Sequence, residues 1–173
     1  MTDMIAEDLC IMLVLDADLK ESIQRVVNSI NGIQKLYEGQ RNLLRHLVNG
    51  ENLFFTSPTN SGKTLPPVLL PSILNELGKL GYGHFPETPR VLFVTALNSI
   101  QSSLVSNMET LGIKCAALSY TNVNEVLISG VSILFVGPEV LKHPTVTASL
   151  LKYRSSFVCK VIDEAHLGKN QGI

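Results

Sequence analysis

The chain has 173 residues, which is the length of one ordinary domain or slightly more. Its 14 lysines and arginines are matched by 15 aspartates and glutamates, so the net charge of −1 excludes a broadly basic surface, and any contact with a polyanion must be local. Hydrophobic residues make up 45% of the chain and charged residues 17%, which excludes a disordered protein and favours an extensive buried core.

The start of the chain has neither a membrane span nor a secretory signal. Its first uncharged apolar run, residues 9–15, ends at Asp16 and is far shorter than the ~20 residues that span a bilayer. Acidic rather than basic residues precede this run, unlike the basic start of a signal peptide. The sequence therefore predicts an intracellular protein with no membrane partner.

The three cysteines have no spacing typical of a metal or disulfide site. Cys10, Cys115 and Cys159 are odd in number and scattered along the chain, without a Cys-x-x-Cys pair. We therefore expect ordinary buried or surface thiols.

Two amphipathic helices are predicted before residue 50. Apolar residues between positions 19 and 30 recur at helical spacing, with Asp16 or Asp18 available as a cap. A second helix is predicted over residues 38–49, where the apolar positions share one side and Asn49-Gly50 ends the pattern.

From residue 53 onward, short apolar runs alternate with segments of helical length or composition. The predicted strands are residues 53–55, 91–94, 115–118, 131–136 and 157–162. The predicted helices between them are residues 63–79, 98–111, 123–128 and 139–152. Strand and helix in alternation predict an α/β fold with an open parallel sheet.

Residues 57–64, Ser-Pro-Thr-Asn-Ser-Gly-Lys-Thr, have the layout of a phosphate-binding loop between a strand and a helix. The pattern GxxxxGK[ST] is matched at Gly62, Lys63 and Thr64, with Ser57 in place of the first glycine. Backbone N–H groups that converge at a helix N-terminus bind phosphate, while the lysine supplies a cation and the threonine hydroxyl a ligand for Mg²⁺. The residues predicted to bind the nucleotide here are Thr59, Asn60, Ser61, Gly62, Lys63 and Thr64. A turn that merely caps a helix is the alternative interpretation.

Two consecutive acids, Asp163 and Glu164, follow the predicted strand 157–162. The carboxyl ends of parallel strands carry the ligand sites of open α/β sheets, so these acids are expected to meet the phosphate loop. We interpret Asp163 as the residue that holds Mg²⁺ through water, and Glu164 as the base that activates water for attack on the γ-phosphate. Lys63, Asp163 and Glu164 are thus the predicted catalytic residues.

These motifs resemble those of superfamily 2 helicases, and most closely the RecQ family of DNA helicases. Asp163-Glu164-Ala165-His166 spells the DEAH form of motif II, and residues 57–64 resemble motif I. Tyr37-Glu38-Gly39-Gln40 resembles the family's aromatic-x-x-Gln entry, which implies that Gln40 reads adenine. Residues 95–100 resemble motif Ia, and residues 135–141 resemble the Pro-Glu-Arg-Leu segment, although Val140 replaces its arginine.

The resemblance implies a three-layer RecA-like P-loop domain with a mainly parallel sheet. Residues 1–35 are expected to form an N-terminal helical extension, and residues 36–173 the helicase ATP-binding domain 1, incomplete at the C-terminus. Motif III, the arginine finger of a second RecA-like lobe and a zinc-binding region have no counterpart in the sequence. Residues 167–173 also lack the family's aromatic loop.

By this resemblance the chain is the lobe of an ATP-dependent 3′ to 5′ DNA helicase, nuclear or otherwise intracellular. It would bind MgATP and single-stranded or forked DNA, and it would need a second RecA-like lobe as a partner for unwinding. An RNA helicase lobe of the DEAD/DEAH group is an alternative, because motifs I and II are shared. A non-catalytic, nucleotide-dependent interaction module is the alternative from a different class.

Overall fold

The computed structural model describes residues 14–56, 58, 61–95 and 98–162, with residues 98–103 described by their backbone alone. The helices, in chain order, are α1 (Asp16–Ser29), α2 (Glu38–Val48), α3 (Leu65–Lys79), α4 (Asn98–Thr110), α5 (Val123–Ile128), α6 (Pro138–Leu141) and α7 (Pro144–Lys152). The strands are β1 (Arg90–Val94), β2 (Cys115–Ala117), β3 (Ile133–Val136) and β4 (Phe157–Ile162), with a short 3₁₀ helix (Arg154–Ser156) before β4.

The four strands form one sheet in the order β2-β3-β1-β4, and every pair is parallel. Each strand is followed by a helix before the next begins, because a parallel neighbour can be reached only by a crossover. The predicted α/β fold with a parallel sheet is therefore confirmed.

Helices cover both faces of the sheet. Val91 and Phe93 of β1 face the layer that holds α1, α3 and α4, whereas Leu92 faces α5 and α7. Successive residues of a strand point to opposite faces, so a strand buried on both sides reads as a continuous apolar run. This explains why these strands show no polar alternation, and it gives the three layers that were predicted.

The N-terminal helix α1 shares the core of the sheet domain. Leu19, Ile23, Val26 and Val27 are all buried in the same cluster as α3. The hydroxyl of Tyr82, which precedes β1, donates to Asp18 Oδ2 at 2.7 Å and accepts from the Leu15 main-chain N–H at 3.1 Å. The helix is thus tied to the domain by polar and apolar contacts, and the boundary at residue 35 stays a prediction.

The prediction of a strand at residues 53–55 is wrong. These residues form no strand and pair with neither outer strand, β2 or β4. Their side chains are exposed, with 88% of Phe54 open to solvent. An apolar run fits the composition of a strand, but a strand forms only where its backbone groups pair with a neighbour, and this segment does not pair with the open edge of β2 or of β4.

The helix predicted over residues 139–152 is instead two helices, α6 and α7. Pro144 begins α7, and His143 before it adopts an extended backbone with ψ of 128°. A residue that precedes proline is pushed out of the helical region by the proline ring, so one continuous helix could not pass through this point.

Candidate nucleotide-binding site

Three strands end level with one another at the carboxyl edge of the sheet. Val94 of β1 is in register with Val136 of β3 and with Ile162 of β4. The next residues along the chain are Thr95, Gly137 and Asp163, of which Asp163 lies outside the described residues. The edge where ligands bind in open α/β sheets therefore lies at Val94, Val136 and Ile162.

The turn at residues 61–64 lies at this same edge. Helix α3, which follows the turn, packs on β1 and β4, and residues 80–89 connect its end to the amino end of β1. The start of α3 therefore points toward the carboxyl ends of the strands. The turn at residues 61–64 and the end of β4 therefore lie at one edge of the sheet.

The backbone of the turn leads directly into α3. Gly62 has a φ of 71°, in the left-handed region that side chains rarely adopt. Its main-chain oxygen accepts the N–H of Leu65 at 3.1 Å, which starts α3. Pro66 and Pro67 fill the first turn of that helix, where an N–H has no intrahelical partner to lose.

Gln40 contacts the loop directly. Its Nε2 donates to the main-chain oxygen of Gly62 at 3.1 Å, and its Oε1 accepts the N–H of Tyr37 at 2.9 Å. The side chain is only 7% exposed. A Cβ added at Gly62 would lie 2.6 Å from Gln40 Nε2, so a side chain here would displace the glutamine amide, and the positive φ favours glycine.

These contacts leave Gln40 one hydrogen on Nε2 and one lone pair on Oε1. One donor and one acceptor suffice to read the edge of a base, so the predicted adenine contact is chemically possible without breaking the contact to Gly62. The sequence prediction gave Gln40 only the base-reading role. Its role as a support of the phosphate loop was missed, because a contact between residues 40 and 62 leaves no signal in the local pattern.

Lys63 and Thr64 are both half-buried beside the start of α3. Thr64 is the N-cap residue of α3, and its hydroxyl makes no capping hydrogen bond within the helix. An oxygen of this kind suits Mg²⁺, which prefers hard oxygen ligands and retains several waters. The described part of the loop therefore fits the metal that the motif requires.

Ser61 is also half-buried, and its N–H donates to Pro58 O at 3.2 Å.

Four predicted site residues, Thr59, Asn60, Asp163 and Glu164, lie outside the described residues. Their roles stay predictions.

Thr95, the first residue of the segment that resembles motif Ia, also lies at this edge. Its side chain is 2% exposed, and within the described ranges its hydroxyl has no hydrogen-bond partner. Its N–H donates to Val136 O at 3.0 Å, which continues the β1–β3 ladder past the end of the strand. A buried hydroxyl without a partner is uncommon, so Thr95 is an unusual polar position at this edge of the sheet.

The cysteines in the described ranges are poor nucleophiles. Burial raises the pKa of Cys159 to about 11, and burial together with the Glu109 carboxylate raises that of Cys115 to about 11. Both thiols are free and remain protonated near neutral pH. Neither thiol is therefore a candidate nucleophile.

A three-layer parallel α/β domain with a left-handed glycine and a lysine at the start of a helix belongs to the RecA-like class of nucleotide-binding domains. The DEAD/DEAH box helicase family matches the chain over residues 37–172, and the chain belongs to this family. A search among curated proteins finds no match. The family assigns the chain to the N-terminal lobe of a superfamily 2 helicase, which generally uses ATP with Mg²⁺ and binds nucleic acid.

Among the helices of the described ranges, none is long and apolar enough to cross a membrane.

Proposed function

We propose that the chain is the ATP-binding lobe of a RecQ-like DNA helicase that moves 3′ to 5′. The observation that supports an ATP site in this proposal is the hydrogen bond between Gln40 and Gly62, because it connects the aromatic-x-x-Gln entry with the predicted phosphate loop. The RecQ subtype is supported by the sequence of that entry, by motif Ia after β1 and by Pro138-Glu139 after β3.

The nucleotide would lie across the start of α3. Backbone N–H groups of residues 59–62 would cradle the phosphates, and Lys63 would neutralise the charge of the β- and γ-phosphates. The hydroxyl of Thr64 and, through water, the carboxylate of Asp163 would hold Mg²⁺. The metal supplies charge neutralisation at the transferring phosphoryl group when it is bound.

Hydrolysis requires a base and a counter-charge at the γ-phosphate. Glu164 would orient the attacking water and accept its proton. An arginine finger from a second RecA-like lobe would stabilise the charge that develops, and its loss typically lowers turnover by about 10³- to 10⁵-fold. We therefore propose that this lobe binds ATP by itself but unwinds nucleic acid only with a second lobe.

Nucleic acid would bind along the carboxyl edge of β1 and β3. The buried Thr95 hydroxyl and the Gly137-Pro138 turn lie on neighbouring strands at this edge. The chain carries a net charge of −1, so few phosphates can be neutralised and affinity should depend only weakly on salt. We propose single-stranded or forked DNA as the ligand.

The test measures ATP hydrolysis by the chain together with a second RecA-like lobe, with single-stranded DNA or single-stranded RNA as the stimulant. We expect DNA to stimulate turnover, and Glu164→Gln to abolish it while nucleotide binding is retained. Stimulation by RNA alone would support the RNA helicase alternative. Nucleotide binding without turnover under any condition would favour a non-catalytic module.

Nucleotide binding is tested separately with a fluorescent ATP analogue. Lys63→Ala should abolish most of the binding, because the lysine is the main protein cation at the β- and γ-phosphates. Equal affinities of Lys63→Ala and the unaltered chain would exclude the phosphate-loop assignment. Lys79→Ala, at the exposed far end of α3, is the matched control and should bind normally.

A further inference from the structure

Two aromatic rings stack on the surface beyond the carboxyl edge of the sheet. Tyr120 lies three residues after the end of β2, and His143 lies between α6 and α7, on the connection that leaves β3. Their ring centroids are 5.5 Å apart and their planes are inclined by 27°. Tyr120 is 61% exposed and His143 is also exposed, so the pair is not part of a hydrophobic core.

Hydrogen bonds on both sides of Tyr120 hold its backbone. The N–H of Ser119 donates to Asn122 Oδ1 at 2.8 Å, and the N–H of Asn122 donates to Ser119 Oγ at 3.2 Å. Asn122 Nδ2 also donates to Ala117 O at 3.0 Å, which ties the turn to the end of β2. The tyrosine is therefore carried on a turn that is already ordered, which reduces the entropy lost when a ligand binds.

The backbone of His143 is fixed in a similar way. Its N–H donates to Val140 O at 3.1 Å, and its carbonyl oxygen accepts the N–H of Thr147 at 3.0 Å. The two rings thus lie on separate loops, between β2 and α5 and between α6 and α7, and hydrogen bonds hold the backbone of each loop. Because the stacked pair is exposed, it does not contribute to the packing of the core. It offers a flat aromatic surface to a ligand.

The position of the pair continues the proposed nucleic-acid edge. In the sheet order, β1 carries Thr95, the neighbouring β3 carries Gly137, and the outer strand β2 leads to Tyr120. Neighbouring strands are ~4.8 Å apart, so the edge from β1 to β2 extends over about 10 Å. Thr95 and Gly137 are buried whereas the two rings are exposed, so a chain of nucleotides that follows this edge would contact the rings.

The charges near the pair favour stacking over phosphate binding. Lys142 precedes His143 and is exposed, but the exposed carboxylate of Glu139 lies on the adjacent α6. These opposite charges leave little net attraction for a polyanion. Aromatic side chains bind single-stranded nucleic acid through the faces of the bases, and this interaction does not require a basic surface.

We infer that Tyr120 and His143 form a stacking platform for a base of single-stranded nucleic acid, an inference that rests on the proposed function. The ligand is a nucleobase in an unpaired strand, because base pairing and stacking within a duplex would bury the face that the rings require.

The test compares the binding of labelled oligothymidine with that of an abasic oligonucleotide of equal length and charge, by fluorescence anisotropy at fixed salt. Tyr120→Ala should weaken oligothymidine binding by about five- to tenfold, the lower end of the effect of one stacked base, and should leave abasic binding unchanged. Tyr120→Phe should retain the affinity. Leu151→Ala, which truncates another exposed apolar side chain at the end of α7, is the matched control.

Tyrosine fluorescence gives a second readout that does not depend on the size of the affinity change. Oligothymidine should quench part of the emission, and Tyr120→Phe should remove that quenching although it still binds. If Tyr120→Phe shows the same quenching as the unaltered chain, the stacking role is overturned. The same holds if Tyr120→Ala loses equal affinity for oligothymidine and for the abasic strand.

Different outcomes exclude the nucleic-acid function and the stacking platform. If the unaltered chain binds neither oligonucleotide, both the nucleic-acid function and the platform are excluded. If it binds oligothymidine and Tyr120→Ala binds equally well, only the platform is excluded. A protein that binds at Tyr120 while oligothymidine affinity is insensitive to Tyr120→Ala would likewise overturn the inference.

Discussion

Gln40 Nε2 donates a hydrogen bond to the main-chain oxygen of Gly62 at 3.1 Å, across 22 residues of sequence. The same oxygen accepts the N–H of Leu65, the first residue of α3. A side chain that the family resemblance assigns to adenine is thus also a support of the phosphate loop. Occupation of the base site and the shape of the loop are therefore expected to depend on one another.

Substitution of Gln40 tests both of its roles. Gln40→Glu keeps an acceptor for the Tyr37 N–H but loses both Nε2 hydrogens, the one on Gly62 O and the one available to a base. It should therefore weaken ADP binding by about tenfold, for a lost hydrogen bond of ~1 kcal/mol with added carboxylate–carbonyl repulsion, and reduce the preference for ADP over GDP. Gln40→Ala should likewise reduce that preference. Titration of both nucleotides into each variant measures this. An unchanged base preference in Gln40→Ala would reject the adenine-reading role.

Gly62→Ala should destabilise the fold. The φ of 71° costs a side chain about 1 kcal/mol, and the new Cβ would lie 2.6 Å from Gln40 Nε2. Gly39→Ala is the matched control, since nothing lies within 4 Å of its Cβ position and alanine favours the helical conformation of α2. Urea denaturation should show Gly62→Ala less stable and Gly39→Ala at least as stable as the unaltered chain.

Combining Gly62→Ala with Gln40→Ala tests the source of the cost. Removal of the glutamine relieves the close contact, so the double variant should lose less stability than the sum of the two single variants. Strict additivity would assign the whole cost to the backbone conformation.

Arg90 should contribute to stability although no carboxylate faces it in the described residues. It is 5% exposed, donates to Leu127 O at 2.9 Å and to Ser156 Oγ at 2.8 Å, and lies over the ring of Tyr153. Desolvation lowers its pKa, and the hydrogen bonds offset part of that cost. Arg90→Ala should lower the free energy of unfolding by about 2 kcal/mol, as expected for hydrogen bonds from a charged donor.

The control for Arg90 is an arginine on the surface. Arg25 pairs with Glu21 at 2.6 Å, but both side chains are about half exposed. Arg25→Ala should therefore change the free energy of unfolding by less than ~1 kcal/mol. Equal losses in Arg25→Ala and Arg90→Ala would show that the buried contacts add no stability.

Stability should fall between pH 9 and pH 11 as the two half-buried thiols titrate. The pKa values of Cys115 and Cys159 are raised from 9.0 to about 11, so the folded protein holds these protons more strongly than the unfolded chain. Their contribution is fully present below pH 9 and is lost as the pH rises through 11. Denaturation across this range should show a smaller decline when both cysteines are replaced by alanine. Equal declines would assign the loss to other groups.

The sequence by itself determined the class of fold and the approximate bounds of most of its elements. Helix α5 and strand β4 have the predicted bounds, and the other strands differ by one or two residues at their ends. Apolar runs and helical periodicity are local properties, so they can be read along the chain. The break at Pro144 was also local, since a residue before proline avoids the helical region, and the sequence could have given it.

Only the tertiary structure decided which segments find partners. Residues 53–55 have the composition of a strand but form no ladder, and Gln40 lies against Gly62 although no pattern connects them. Tyr120 and His143 likewise meet through two separate connections of the sheet. A hydrogen bond or a stacked pair between distant residues depends on the packing of whole elements. Local propensity records what a segment favours, whereas packing selects the neighbour that it meets.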